Sequence, residues 1–223
     1  MSARDVGILG GTGPAGRGLA LRLAASGMKV TIGSRDPARA ADVAEGLRSR
    51  WPDHELHLAG AGNLEAAACQ TVVVATPWDA AAATAGALRE GLAGKVVVSM
   101  ANALTRSGDE LIALIPPRGS IAEAVQAATP GARVAGAFHH LPAAALADLG
   151  KELDADVLVC SDNAEATGET VALVESIAGL RAYDAGSLSS CGAVEAFTAV
   201  LVGLNIRYRA RASLRLTGVR KPS

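Results

Sequence analysis

Short apolar runs punctuate this chain at regular intervals: Val6–Leu9, Lys29–Gly33, Thr71–Thr76, Lys95–Ser99, Ala132–Phe138 and Asp156–Cys160. They are rich in valine and isoleucine and show no polar alternation. Runs of this length and kind read as strands buried on both faces of a parallel sheet. Between them lie amphipathic stretches with helix start signals. Arg17–Ser26 forms the first, with Gly27 placed where a terminating glycine belongs. Pro37–Arg50 forms the second, opened by Asp36-Pro37. Asn63 caps a short alanine-rich helix through Ala68, and Asp79 caps Ala80–Leu88. Ser120-Ile-Ala-Glu123 is a capping box for a helix to about Ala128. A helix starts at Asp162 or Asn163 and runs to about Ala178. Glu55–Leu58 and Leu180–Tyr183 read as weaker strands, and residues 107–118 as loop with a turn of helix near Glu110–Ile115.

Alternation of strand and helix predicts an α/β fold with a doubly wound, mostly parallel sheet. A long final helix, about Ser190–Ala212, follows as a small helical C-terminal unit. The division falls near Ala185, giving a nucleotide-binding domain over 1–184 and a closing unit over 185–223. Val194, Phe197, Val200, Leu201 and Leu204 recur at helical spacing on that last helix. Two readings stay open for it: a buried core helix, or a surface that packs against a second copy of the chain and roofs the crevice. Its longest apolar run, Ala196–Leu204, is too short to span a bilayer.

The first strand runs into Gly11-x-Gly13-x-x-Gly16 and then directly into a helix. Strand, glycine turn and helix together make the dinucleotide-binding fingerprint of a Rossmann-type fold. On this reading Gly11 permits the tight turn, Gly13 lets the backbone approach a pyrophosphate, and Gly16 lets helix pack on strand. The helix start offers free N–H groups and a positive dipole end to phosphate. The second strand ends in Gly33-Ser34-Arg35-Asp36. A site for NAD places a carboxylate there for the ribose 2′-hydroxyl, whereas Ser34, Arg35 and Arg39 suit the 2′-phosphate of NADP. Asp36 is expected to cap the next helix instead of gripping ribose.

The C-terminal ends of parallel strands line the ligand crevice in such folds. Thr76-Pro77-Trp78, Met100–Leu104 and His139–Ala143 all follow strands and are expected there. Trp78 could contact a ligand or pack over the following helix. Of the adjacent histidines, one is expected to face the crevice and the other solvent; no third ligand sits at a metal-binding spacing. Net charge is -1, with 21 Lys+Arg against 22 Asp+Glu, and aromatic content is 3%. That excludes a basic, base-stacking nucleic-acid surface. Three cysteines, Cys69, Cys160 and Cys191, without a CxxC pair indicate a reducing, cytoplasmic setting, and no metal.

No nucleophile–base array and no paired carboxylates are readable. Hydride transfer between two bound cofactors needs neither, only alignment and exclusion of water. The ordered set Gly7–Ala20, Gly33-Ser34-Arg35, Thr76-Pro77-Trp78, His139–Ala143 and Leu180–Leu188 resembles the NADPH-dependent coenzyme F420 reductases over nearly the whole chain. The resemblance implies a dimeric enzyme. In it, NADP(H) and deazaflavin stack in a cleft beneath a small helical unit, and hydride passes directly between them. It further implies that Thr12, Gly13, Pro14 and Ala15 hold the pyrophosphate, and that Ser34, Arg35 and Arg39 hold the 2′-phosphate. Thr76, Met100 and Ala143 would then border the nicotinamide, with His139, Leu141 and Pro142 near the deazaflavin. Met100-Ala-Asn-Ala and the tail Arg207-Tyr-Arg-Ala-Arg-Ala depart from the family pattern. An NADP-dependent reductase of a small carbonyl or imine, and a non-catalytic NADP sensor, are the competing readings.

Overall fold

The structure is a computed structural model that describes residues 5–108 and 110–219. Its elements run β1 (Asp5–Leu9), α1 (Pro14–Ala25), β2 (Lys29–Ser34), α2 (Pro37–Arg50), β3 (Leu58–Gly62), α3 (Asn63–Ala67) and β4 (Thr71–Val74). Then follow α4 (Trp78–Ala87), α5 (Arg89–Leu92), β5 (Val96–Ser99), β6 (Leu104–Ser107), β7 (Glu110–Ala113), α6 (Ile121–Ala128) and β8 (Arg133–Gly136). The chain closes with α7 (Ala143–Leu146), β9 (Ala155–Ser161), α8 (Ala164–Glu175), β10 (Leu180–Asp184) and α9 (Cys191–Tyr208).

An eight-stranded sheet has the order β10-β9-β8-β5-β4-β1-β2-β3. Every pairing is parallel except β8 with β9. Strand alternation splits the core between two faces. Val73, Val96 and Val98 pack with α1, α2 and α8, while Val72, Val74 and Val97 pack with α3, α4, α6 and α9. The uninterrupted valine runs are what a strand with helices on both faces requires.

Several boundaries differ from the sequence expectation. The third strand is Leu58–Gly62, not Glu55–Leu58. Its Ala-Gly-Ala-Gly composition has little strand propensity, but α2 lies directly on it. A Cβ added at Gly60 would sit 2.1 Å from the Ala40 carbonyl carbon, so only glycine admits that approach. The α4 helix begins one residue before Asp79, with Pro77 as its cap. Residues expected as loop and helical turn instead form an antiparallel hairpin, β6 with β7. Its second strand packs on α9, a distant partner that no local pattern reveals.

The last helix ends at Tyr208, short of Ala212, because Arg209 turns into the left-handed region at φ 50°. The chain then folds back, with Asn205 Oδ1 accepting from the Ala212 N–H. The Asp156 N–H donates to Leu214 O at 2.8 Å. The tail thus covers the start of β9. With the short turn before it, this helix holds an 18-residue stretch within Leu188–Tyr208 of mean hydropathy 1.4, longer than the Ala196–Leu204 run suggested. It nevertheless buries Glu195 and Thr198 against the rest of the fold.

One polar anchor fixes the segment that follows β8. Arg22, buried on α1, donates to Leu146 O (3.1 Å), Ala145 O (2.9 Å) and Lys151 O (2.9 Å), and also to Asp148 O. These are carbonyls at and beyond the end of α7, which the helix itself cannot satisfy. Arg22→Met keeps the aliphatic stem and strands those carbonyls. It should cost roughly 2–4 kcal/mol of stability, read as a lower urea midpoint at unchanged m-value. A loss below about 0.5 kcal/mol would refute the anchoring role.

Candidate functional site

The C-terminal ends of β1, β2, β4 and β5 open onto one cleft of 950 Å³. Thr12, Gly13, Pro14 and Ala15 form its floor, Ser34, Arg35 and Arg39 one end, and Thr76, Trp78 and Met100 the other. A smaller concavity of 570 Å³ lies beside Arg89 and Lys95. Lys95 is at the start of β5, away from the crevice, and its ammonium is tied to Ala67 O at 2.6 Å.

The floor is built by close backbone approach. Gly10 takes φ +69°, and a Cβ there would sit 2.6 Å from Thr76 Cγ2. The left-handed turn residue is therefore Gly10, not Gly11. Gly11 is needed for space: a Cβ would fall 2.9 Å from Ile8 O and 3.1 Å from Ile32 Cγ2. Gly16 lets α1 sit against Gly11 and Ala75. At Gly13 an added Cβ would meet only Gly10 O, at 3.6 Å, so this glycine faces open cleft. The start of α1 has no side-chain cap and no acidic residue in its first turn. Uncapped N–H groups with a positive dipole end suit an anion.

At the end of β2 the sequence expectation for Asp36 holds. Its Oδ1 accepts from the Arg39 N–H at 3.2 Å, and Pro37 occupies the first turn of α2. Ser34 Oγ accepts from the Asp36 N–H at 3.1 Å and retains its proton for a ligand. Arg35 and Arg39 are exposed at the cleft edge. Two further groups fit a bound nucleotide. Thr76 Oγ1 and Asn63 Oδ1 are buried and have no hydrogen-bond partner among the described residues, and both residues line the cleft. Asn63 was not singled out from sequence, where it reads as a helix cap; Gly62 is the cap of α3 instead. Trp78 is half-exposed in the cleft, and its indole N–H donates to Leu104 O at 3.1 Å.

His139, Leu141, Pro142 and Ala143 follow β8 beside this cleft but do not line it. The expectation of one crevice-facing and one solvated histidine is overturned, since His139 and His140 are 4% and 2% exposed. The antiparallel β9 runs on past the end of β8 beside His140, where Leu158 N–H reaches His140 Nε2 at 3.5 Å, while His139 lies against α9. Burial, with His140 adding repulsion, holds His139 down to about 3, and burial holds His140 down to about 4. Both are neutral near pH 7. Glu195 on α9 lies 3.9 Å from His139 Nε2, which is therefore not an ion pair. The Glu195 carboxylate instead accepts from the Ile121 N–H (3.0 and 2.9 Å) and Ala122 N–H (3.1 Å), at the start of α6. Burial nonetheless pushes its carboxyl up to about 7.

Residues 5–103 match the family described as "NADP oxidoreductase coenzyme F420-dependent". The chain is 38% identical to the F420-dependent NADP reductase of Methanocaldococcus jannaschii, covering 96% of this chain and 98% of the relative. The chain belongs to this family. Among solved F420-dependent NADP reductase folds, a crystal structure from Arthrobacter sp. FB24, provisionally so named, superposes with a TM-score of 0.78. It is 31% identical, over 93% of this chain and 96% of that one. A Plasmodium falciparum pyrroline carboxylate reductase shares the fold at a TM-score of 0.53 and 15% identity, with this chain covering 70% of its length.

The buried titratable groups give stability a pH signature. Neutral histidines with lowered pKa bind protons mainly when unfolded, so stability rises with pH from about 3 to 6.5. The raised Glu195 pKa works in the other direction. Its contribution is complete below the ordinary 4.5 and is lost as pH rises through about 7. Two histidines outweigh one carboxyl, so melting temperature should rise from about pH 3 and level off near pH 7. Glu195→Gln should melt lower at acidic pH and rise more steeply between about pH 4.5 and 7, where the Glu195 loss no longer offsets the histidines. An unchanged slope in the variant would contradict this assignment.

Proposed function

We infer that this protein passes a hydride directly between NADP(H) and the deazaflavin of coenzyme F420, as an oxidoreductase without a protein nucleophile. The observation that carries the reading is the corner at the end of β2. Asp36, the carboxylate that follows β2 directly, is engaged as a helix cap, while Ser34, Arg35 and Arg39 line the cleft and are left to meet a 2′-phosphate. Together the two bound cofactors supply hydride donor and acceptor. The chain's own residues hold and orient them. Thr12–Ala15 present the start of α1 to the pyrophosphate, and Thr76 Oγ1 and Met100 border the nicotinamide. Asn63 joins the ribose side. The His139–Pro142 turn follows β8 beside the cleft and borders the deazaflavin, with Ala143 toward the nicotinamide and buried Phe138 behind the turn keeping water out.

The nucleotide domain covers 1–184 and the closing unit 185–223, of which 220–223 lie outside the described residues. On α9, Phe197, Val200 and Leu204 are exposed at helical spacing on one face. This apolar stripe supports the homodimer reading. All three cysteines are free and buried, in keeping with a reducing, cytoplasmic setting.

Two outcomes test this. The Arg35→Ala/Arg39→Ala pair should raise the KM for NADPH about 10–100-fold, the worth of charge-assisted contacts, and change the NADH-driven rate less than about twofold. Absorbance of oxidised F420 reads both rates. Equal losses with both nucleotides would remove the arginines from the 2′-phosphate site. Separately, Val200→Glu should halve the solution mass measured by light scattering, while the parent runs as a dimer. A monomeric parent would end the dimer reading.

A further inference from the structure

The wall between β5 and β6, Met100–Leu104, carries one polar side chain, Asn102. It lines the cleft, yet its amide is committed to the protein. Nδ2 donates to His139 O at 2.9 Å, and Oδ1 accepts from Thr198 Oγ1 at 3.3 Å. The Thr198 hydroxyl also lies 3.3 Å from His139 O and 3.4 Å from Val194 O, so its single proton is shared among three acceptors. Asn102 is thus the junction of three segments: the cleft wall, the turn after β8, and α9. One turn back on α9, Glu195 grips the start of α6, so the helix offers a fixed anchor.

The turn needs such a grip. Phe138, which opens it, is a bulky residue at φ 63°. An L side chain keeps that conformation only where its surroundings impose it. The carbonyl that follows, His139 O, is the atom Asn102 and Thr198 hold.

We propose that Asn102 is a positioning residue for hydride transfer, clamping the His139–Ala143 turn at a fixed height over the crevice. The proposal rests on the reading that this turn borders the deazaflavin. A small displacement of such a wall misaligns donor and acceptor, which lowers the rate steeply.

The test is steady-state kinetics on the full chain, with NADPH affinity measured in parallel by fluorescence. Asn102→Ala should lower kcat/KM for F420 about tenfold and leave the NADPH Kd within about twofold. Thr198→Val should move the same parameter in the same direction, Thr198→Ser should restore it, and the Asn102→Ala/Thr198→Val pair should be no worse than Asn102→Ala alone. With 4-deuterated NADPH, the isotope effect on kcat should rise in Asn102→Ala as hydride transfer becomes limiting. An unchanged kcat/KM in Asn102→Ala, multiplying losses in the pair, or an equal loss of NADPH affinity would overturn the clamp. Pro142→Met adds bulk to the turn without touching the clamp. If it leaves the KM for F420 unchanged, the deazaflavin reading of the turn fails and takes the proposal with it. If it raises that KM while Asn102→Ala is silent, the clamp alone fails.

Discussion

The site depends on backbone crowding at the turn between β1 and α1. Three segments meet there at distances that admit no side chain. Gly10 lies against Thr76, Gly11 against Ile8 and Ile32, and Gly16 against Ala75. The Gly11 N–H also reaches Gly33 O at 3.0 Å. The start of α1, the end of β2 and the end of β4 are therefore one block. The spacing between the phosphate floor, the Ser34–Arg39 corner and Thr76 follows from that contact, not from any ligand. Precision of this kind is what direct transfer between two bound rings demands.

Much of this was legible in the residues. Valine runs flanked by helix start signals carry their own structure, because both the burial and the caps are local. Ser120, Asn163 and Asp36 each accept a helix-start N–H as expected. That Thr12–Ala15, Ser34, Arg35 and Arg39 share one cleft was readable for the same reason, since they fall in two short stretches with a chemical signature. What escaped was set by distant partners. The hairpin of β6 and β7 exists because α9 covers it. The histidines are buried by distant elements, His140 beside the antiparallel β9 and His139 against α9. Asn63 reads as a helix cap until the fold brings it to the cleft; Asn102 sits in a stretch expected there, but its partners His139 and Thr198 are distant in sequence.

The last helix is mixed for a physical reason. Its buried side holds Cys191, Val194 and Leu201 together with Glu195 and Thr198, and its outer side holds Phe197, Val200 and Leu204. A hydropathy reading finds the apolar set but not the two polar groups buried among it. They are tolerable because each is spoken for: the carboxylate by two backbone N–H groups of α6, the hydroxyl by the turn after β8. Such groups cost little when satisfied and fix orientation more sharply than apolar packing does.

The cap formed by Asp36 also bears on how nucleotide preference could drift during evolution. In related folds a carboxylate in this corner selects the unphosphorylated ribose. Here the carboxylate is already present in the sequence but is spent on starting α2. Losing the arginines would not release it, because doing so would unravel the helix start it supports. A lineage moving toward NAD would have to place a new acid near Ser34 while shedding positive charge at Arg35 and Arg39. Each step alone leaves a corner that recognises neither nucleotide well, and this gap between the two states guards the existing choice.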